Sequence, residues 1–449
     1  MREFCRLSLI AWTVVGVLSI HCGPARAQAP APEPDRWAVV RCGTLLAVPG
    51  KPAIEGATVY IKNGKVEAVA PRGEAGPTIA AGAEVTQVDL SRMFVLPGLI
   101  DCHVHMTSQT ARDQRLMSLV KSDADNALDG VVYARRTIDA GFTTVRDVGS
   151  LGDACLALRD AINDGKIVGP RILASAKSIA ATGGHADPTN GWRDDLFDVP
   201  GVEQGIADGP EAARQAVRLQ VKRGADLIKI TATGGVLSNI GAGIEKQMFE
   251  DEMKAIVETA HLLNKKVAAH AHGAEGIKAA LRAGVDSIEH GTYLDDETIA
   301  LFKSTGAWYV PTITAGKAVE MYAKDEGYYP RAVVPKALAV GPVIQQAFAR
   351  AYKAGVKIAF GTDAGVFPHG ENAKEFAYMV EAGMPPEEAI IAATIHAAEL
   401  CGVSSEVGTL EPGKAGDLIG LRDDPRKNIA VLKSVPFVMR GGTIVKQVP

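Results

Sequence analysis

Eight apolar, strand-like runs alternate with helical stretches between residues 96 and 404, and short β segments with tight turns flank them at both chain ends. That order predicts an α/β fold: a (β/α)8, TIM-like barrel carrying a small β-sandwich built from both ends of the chain. The interior runs are continuously apolar rather than alternating, as strands buried on both faces are.

The 449-residue chain opens on a leader-like segment. Arg2 and Arg6 supply charge, Leu7 to Ile20 is apolar, and Ala25 and Ala27 form an A-x-A cleavage pattern before the polar "QAPAPEPD". The expectation is a signal peptide over residues 1–27, and export to the periplasm or beyond the cell. The apolar run is shorter than the ~20 residues of a membrane span, and Ile20 and His21 do not suit a lipoprotein site at Cys22. No later segment is long and apolar enough to span, so no membrane partner is expected after cleavage.

Residues 37–95 and 405–449 carry the sandwich expectation. "WAVVRCGTLLAV", "GATVYIKNGKVEAVA" and "AEVTQVDLSR" at one end, and "AGDLIGLR" and "PFVMRGGTIVKQ" at the other, are strand material, with "KNGK" a hairpin turn. In the barrel, residues 96–404, the expected strands are Met93–His105, Thr143–Val148, Arg171–Ser178, Leu227–Thr231, Lys266–His272, Ser287–His290, Trp308–Thr312 and Lys357–Thr362. Helices are expected at Gly209–Arg223, Glu250–Leu263, Ala274–Ala283 and Val334–Ala354.

Composition narrows the function. The chain is 47% hydrophobic and 22% charged, near globular averages, and nothing in its net charge of −4 favours a nucleic-acid partner or an anionic membrane surface. Beyond the leader, Cys42, Cys102, Cys155 and Cys401 show no C-x-x-C spacing and read as buried thiols.

In a barrel of this type chemistry sits where the strands end. His103 and His105 end the first strand, and as residues i and i+2 they share one side. His270 and His272 end the fifth, His290 the sixth and Asp363 the eighth; Lys229 lies inside the fourth. His185 follows the third in the Gly-rich "ATGGHAD". Taken alone, an H-x-H pair is as compatible with ordinary surface or core histidines as with metal. Six of the ten histidines on one face is a pattern that scattered core residues do not give. His261 and His396 fall in helical patterns and read as structural. Imidazoles, a carboxylate and a buried lysine suit a borderline divalent metal such as Zn²⁺. A protonated amine would be repelled by cations. A desolvated, neutral lysine can instead add CO₂ and become an anionic carbamate that bridges two metals.

The motifs "GLIDCHVH", "KITATGG", "AAHAHG", "IEHGT", "GTDAG" and "LEPGKAGDLI" together resemble the metal-dependent amidohydrolase superfamily over nearly the whole mature chain. "TGGH", Lys229 and the doubled "HAH" resemble its carboxypeptidase and Xaa-Pro dipeptidase-like branch, which includes ochratoxin-hydrolysing amidohydrolases. The resemblance implies that His103, His105 and Asp363 hold a buried metal, His270 and His290 a more exposed one, and carboxylated Lys229 bridges both. It implies His272 as a substrate contact, with the roles of His270 and His272 exchangeable, and His185 as a group that polarises the carbonyl or holds the substrate. His369 is a weaker candidate.

The implied reaction is release of a C-terminal amino acid from a dipeptide or N-acyl amino acid by a metal-bridging hydroxide. Asp363 would move the proton to the leaving amine. The implied partner is a small substrate with a free carboxylate, for which Arg193, Asn239 and His272 are candidate contacts; the implied assembly is a homo-oligomer, up to an octamer. Two readings compete: a cyclic amidohydrolase (imidazolonepropionase- or lactamase-like) or deaminase on the same fold, and a non-catalytic scaffold. Filled ligand positions speak against the scaffold, and Lys229 against imidazolonepropionase.

Overall fold

The structure, a computed structural model, describes residues 34–150 and 152–448. The leader expected at residues 1–27 lies outside the described residues. Among the described residues no helix is long and apolar enough to cross a membrane.

Seven parallel strands form the inner layer. Leu99–Val104 (β1), Phe142–Asp147 (β2) and Arg171–Ala174 (β3) pair in sequence order. Ile228–Thr231 (β4), Val267–Ala271 (β5), Ser287–His290 (β6) and Trp308–Val310 (β7) form a second run in sequence order. A single bridge, Ile179 with Ile230, joins the chain beyond β3 to β4. The arrangement is TIM-barrel-like α/β, with helices such as Pro210–Arg223, Glu250–Leu262 and Ala274–Ala283 between strands.

The expected eighth strand, Lys357–Thr362, is reduced to one isolated bridge, Tyr309 with Ile358, and a second bridge, Val104 with Ala364, lies just beyond it. The segment still bonds on both sides: Tyr309 N–H donates to Lys357 O at 2.8 Å and Cys102 N–H to Phe360 O at 2.9 Å. Its backbone then turns into the left-handed region at Asp363 (φ 62°), between the two bridges.

Three other expectations need correction. Met93–His105 is not one strand. Met93–Pro97 ends a strand of the chain-end sheet, Glu84–Pro97, and β1 starts afresh at Leu99. Pro97 has no N–H to continue a ladder, and Gly98 lies against β2 so closely that a Cβ would sit 2.1 Å from Thr143 Oγ1. Val334–Ala354 is likewise two helices, Val334–Val340 and Ile344–Lys353, broken at Gly341 and Pro342. Arg171–Ser178 shortens to β3 because Ala176 is left-handed (φ 56°).

Both chain ends join in one eight-stranded sheet. Arg36–Leu45 pairs antiparallel with Thr58–Lys62 and parallel with Glu84–Pro97, which in turn pairs antiparallel with Leu418–Leu421. Asn63 (φ 48°) and Gly64 (φ 84°) make the hairpin turn, both left-handed as its geometry requires. The sheet has its own apolar cluster, including Val40, Val59, Leu90, Leu418 and Phe437.

Gly98→Ala is expected to destabilise the protein by about 1–3 kcal/mol through overpacking against Thr143. Adding Thr143→Ala should recover part of the loss. Urea denaturation of the two variants checks this, and an unshifted midpoint for Gly98→Ala refutes it.

Candidate metal centre

The strand ends surround a cavity of about 570 Å³. His103, His105, Lys229, His270, His272, His290, Asp363 and His185 all line it.

Two clusters of donors face one another. His103, His105 and Asp363 form one, and His270, His272 and His290 the other; within each, one ligand atom per residue lies within 4.8 Å of the rest. The clusters adjoin, since the His103 and His290 rings are 4.9 Å apart.

Each imidazole has one nitrogen committed. His103 Nδ1–H donates to Glu289 Oε2 at 2.8 Å, and His105 Nδ1–H to the Gly149 carbonyl at 2.6 Å. Both Nε2 atoms therefore present lone pairs, and they converge on Asp363 Oδ1 at 3.5 and 3.1 Å. In the other cluster Nδ1 of His272 and of His290 is paired with Thr292 Oγ1 (2.7 Å) and Thr312 Oγ1 (2.8 Å), while His270 Nε2–H donates to Gly234 O at 3.3 Å. His270 and His272 each keep one free nitrogen, so either can serve as a ligand.

The observation that tests these residues against a metal is an orphaned pair. His103 Nε2 and Asp363 Oδ1 are buried and have no hydrogen-bond partner. Such atoms cost free energy unless a partner arrives, and a lone pair beside a carboxylate oxygen calls for a cation. The donor set therefore fits divalent metal. Electrostatics agree for four of the five histidines; the fifth, His105, is raised against the pull of burial by the Asp363 carboxylate beside it. Burial pulls His103 down to about 4 and His272 to about 3, and drives His270 and His290 well below the usual imidazole range. These rings are neutral near pH 7, the form that binds metal. Burial also pulls the Lys229 amine down to about 8, although Glu289 and Asp363 act to raise it.

Backbone conformation aims the strand-end side chains. His290 (φ 71°), Thr312 (φ 52°) and Asp363 (φ 62°) are all left-handed non-glycine residues. Such conformations cost of order 1–3 kcal/mol and gather at functional sites. Register explains Lys229. It lies opposite Ala268, which pairs with Ser287, while His270 and Glu289 are one inward-facing level further along. Only a long side chain spans that step.

His185 stacks on His270 with ring centroids 4.2 Å apart, and its Nδ1 pairs with Ser238 Oγ at 2.6 Å. A Cβ at residue 235 would lie 2.2 Å from that ring, so Gly235 is what lets it lie flat. Lys336 Nζ fixes the same loop by donating to Gly235 O at 3.0 Å and Ser238 O at 2.6 Å. Other candidates fall outside the cavity. His369 stacks on Tyr133 and pairs with Ser108 O at 3.0 Å. Arg193 is spent on an exposed ion pair with Asp195, and Asn239 packs against Gly191. Neither lines the cavity.

Sequence reasoning missed the supporting residues. Glu289 is fully buried and accepts from Arg146 Nη2 (2.7 Å) and Ser287 Oγ (2.5 Å) as well as His103. Burial opposes its ionisation, yet Arg146 and His103 hold its carboxyl far below the usual range. A charged residue inside an apolar run, "SIEHG", was the available signal.

The amidohydrolase family model matches residues 94–445. The ochratoxinase of Aspergillus niger is 36% identical over 375 residues, spanning 78% of this chain and 75% of its own length. A crystal structure of a Xaa-Pro dipeptidase with bound methionine in the active site is 44% identical, covers 91% of this chain and 99% of that one, and superposes with a TM-score of 0.84. The imidazolonepropionase of Chromobacterium violaceum is 26% identical over 419 residues, 86% of this chain and 90% of its own. The chain belongs to the amidohydrolase family, in its dipeptidase-like branch, and is a hydrolase of amide or peptide bonds.

Proposed function

We propose that the protein hydrolyses the amide bond of a C-terminal amino acid in dipeptides or N-acyl amino acids. Ochratoxin A, an N-acyl phenylalanine, is one candidate. The observation that carries this reading is the pair of adjoining donor clusters around buried Lys229 on the cavity floor. The likeness to an ochratoxinase and a Xaa-Pro dipeptidase supports it.

His103, His105 and Asp363 would hold one divalent cation and His270 and His290 a second, with carboxylated Lys229 shared between them; zinc suits these donors. When bound, the cations polarise the scissile carbonyl and acidify water toward pKa ~7. The chain's own residues do the rest. Asp363 accepts the attacking water's proton and returns it to the leaving nitrogen, which departs poorly unless protonated. His185, with Nδ1 held by Ser238, can donate from Nε2 to the oxygen on which charge develops. Glu289 and the Gly149 carbonyl fix the tautomers of His103 and His105. His272 faces the substrate space. Together with export by the expected leader, this reading suits peptide scavenging or detoxification.

Three outcomes test it. Offered dipeptides, N-acyl amino acids and ochratoxin A, the mature protein loaded with zinc and bicarbonate should release the C-terminal amino acid, detected by mass spectrometry. Turnover confined to cyclic amides would transfer the site to the imidazolonepropionase-like reading. A chelator should abolish activity and lower Tm, both restored by zinc; activity that survives exhaustive chelation rules out the metal assignment. Glu289→Gln should weaken zinc affinity about 10- to 100-fold, measured by competition with a chromogenic chelator. Unchanged affinity would show that the contact to His103 does not hold the ligand in place.

A further inference from the structure

The cavity lining is chemically mixed, with one continuous apolar stretch. Segments at and after β1, β2 and β3 give it polar groups, among them Thr110, Ser150, Lys177, Ser178 and Gln204. The continuous apolar stretch comes from the helical excursion after β7: Ile313–Ala323 (α1), Val334–Val340 (α2) and Ile344–Lys353 (α3).

Thr312 opens α1 beside His290, with which its hydroxyl is paired. From there Thr312, Ala315, Gly316 and Val319 border the cavity, the i, i+3, i+4, i+7 stripe of one helix face. Small residues occupy its start and Val319 its outer turn. Val340 closes α2, Ile344 opens α3, and both border the same space. Val319, Val340 and Ile344 are only 4%, 1% and 1% exposed. Gly316 meets Ile344 so closely that a Cβ would lie 2.6 Å from Ile344 Cγ2, so the two backbones cannot separate or slide without loss of packing. Ala315, Gly316, Val319, Val340 and Ile344 offer no charge and no side-chain hydrogen bond.

We infer that this wall is a side-chain subsite. It takes a large, uncharged, apolar side chain of leucine to phenylalanine size next to the scissile amide, and Ile344 sets its depth. The inference deepens the function proposed above and rests on it. An apolar wall rewards buried methylenes, and it rejects a charge that would be desolvated without a partner.

Two dipeptide series, Gly-Xaa and Xaa-Gly with Xaa as Ala, Leu, Phe, Asp or Lys, test it on the zinc-loaded protein. In one series kcat/KM for Leu or Phe should exceed that for Ala by at least about 10-fold, with Asp and Lys below Ala. Ile344→Ala should reduce the Leu-over-Ala ratio about tenfold, and Ile344→Phe should shrink the Phe-over-Ala ratio. Val319→Ala serves the same purpose where an Ile344 variant does not fold. A flat preference, a preference for Asp or Lys, or ratios that none of these variants moves overturns the subsite. Absence of hydrolysis throughout overturns the proposed function instead. The subsite is then read by thermal shift with N-acetyl amides of Leu, Phe, Ala and Asp. Stabilisation by the apolar pair alone, lost in Ile344→Ala, supports it; equal shifts overturn it.

Discussion

The arrangement of the site depends on one buried ion pair. Glu289 and Arg146 meet at 2.7 Å in the interior, where unpaired charges cost several kcal/mol each. Arg146 offsets that cost by reaching three places. It comes from β2, donates to the Cys102 carbonyl on β1 at 2.5 Å, and touches Ser287 on β6 at 3.1 Å. Glu289, one residue before His290, spends its second oxygen on His103. One guanidinium and one carboxylate thus tie the first, second and sixth strands together and fix the tautomer of the most buried histidine. A polar network of this kind is stable only when every member is satisfied, so it constrains the backbone around it more tightly than an aliphatic layer would.

Above that layer the chain accepts local strain. His290, Thr312 and Asp363 each adopt left-handed backbone, and each is tied to its surroundings by hydrogen bonds. Asp363 N–H donates to His103 O at 2.7 Å, and His290 O accepts from Tyr309 Oη–H at 3.0 Å. Thr312 links two functions: its hydroxyl orients His290 while its position starts the helix that forms the apolar wall. Orientation of a donor and shape of the substrate space are therefore coupled through one residue.

Legibility in the sequence followed physical range. The histidine pairs and Asp363 were readable because strand periodicity and strand ends are local, and all of them line the cavity. The breaks at Pro97–Gly98 and Gly341–Pro342 were also local signals, but a dominant apolar pattern masked them. Glu289 stands out as a charge inside an apolar run, but neither it nor Arg146 nor Ser238 was readable as a support for a particular partner. Their partners lie far away in sequence, 186 residues in the case of His103 and Glu289, and no spacing encodes such a contact. His369, the weaker candidate in the loop after the eighth strand, packs on Tyr133 and does not line the cavity.

Lys229 shows how geometry selects the residue type. It stands level with Ala268 and Ser287, two small side chains, and one inward-facing step short of His270 and Glu289. Two residues of strand advance about 6.6 Å. A glutamate at that position would carry its carboxylate only part of the way. A lysine spans the step, and carboxylation of its amine would place two anionic oxygens beyond the end of the four-carbon stem, between the two clusters. The small neighbours leave room for the stem, and burial favours the neutral amine on which that reaction depends. On the proposed reading, then, an ordinary acidic residue is absent at this point because the pleat sets the floor of the site one level too deep for it.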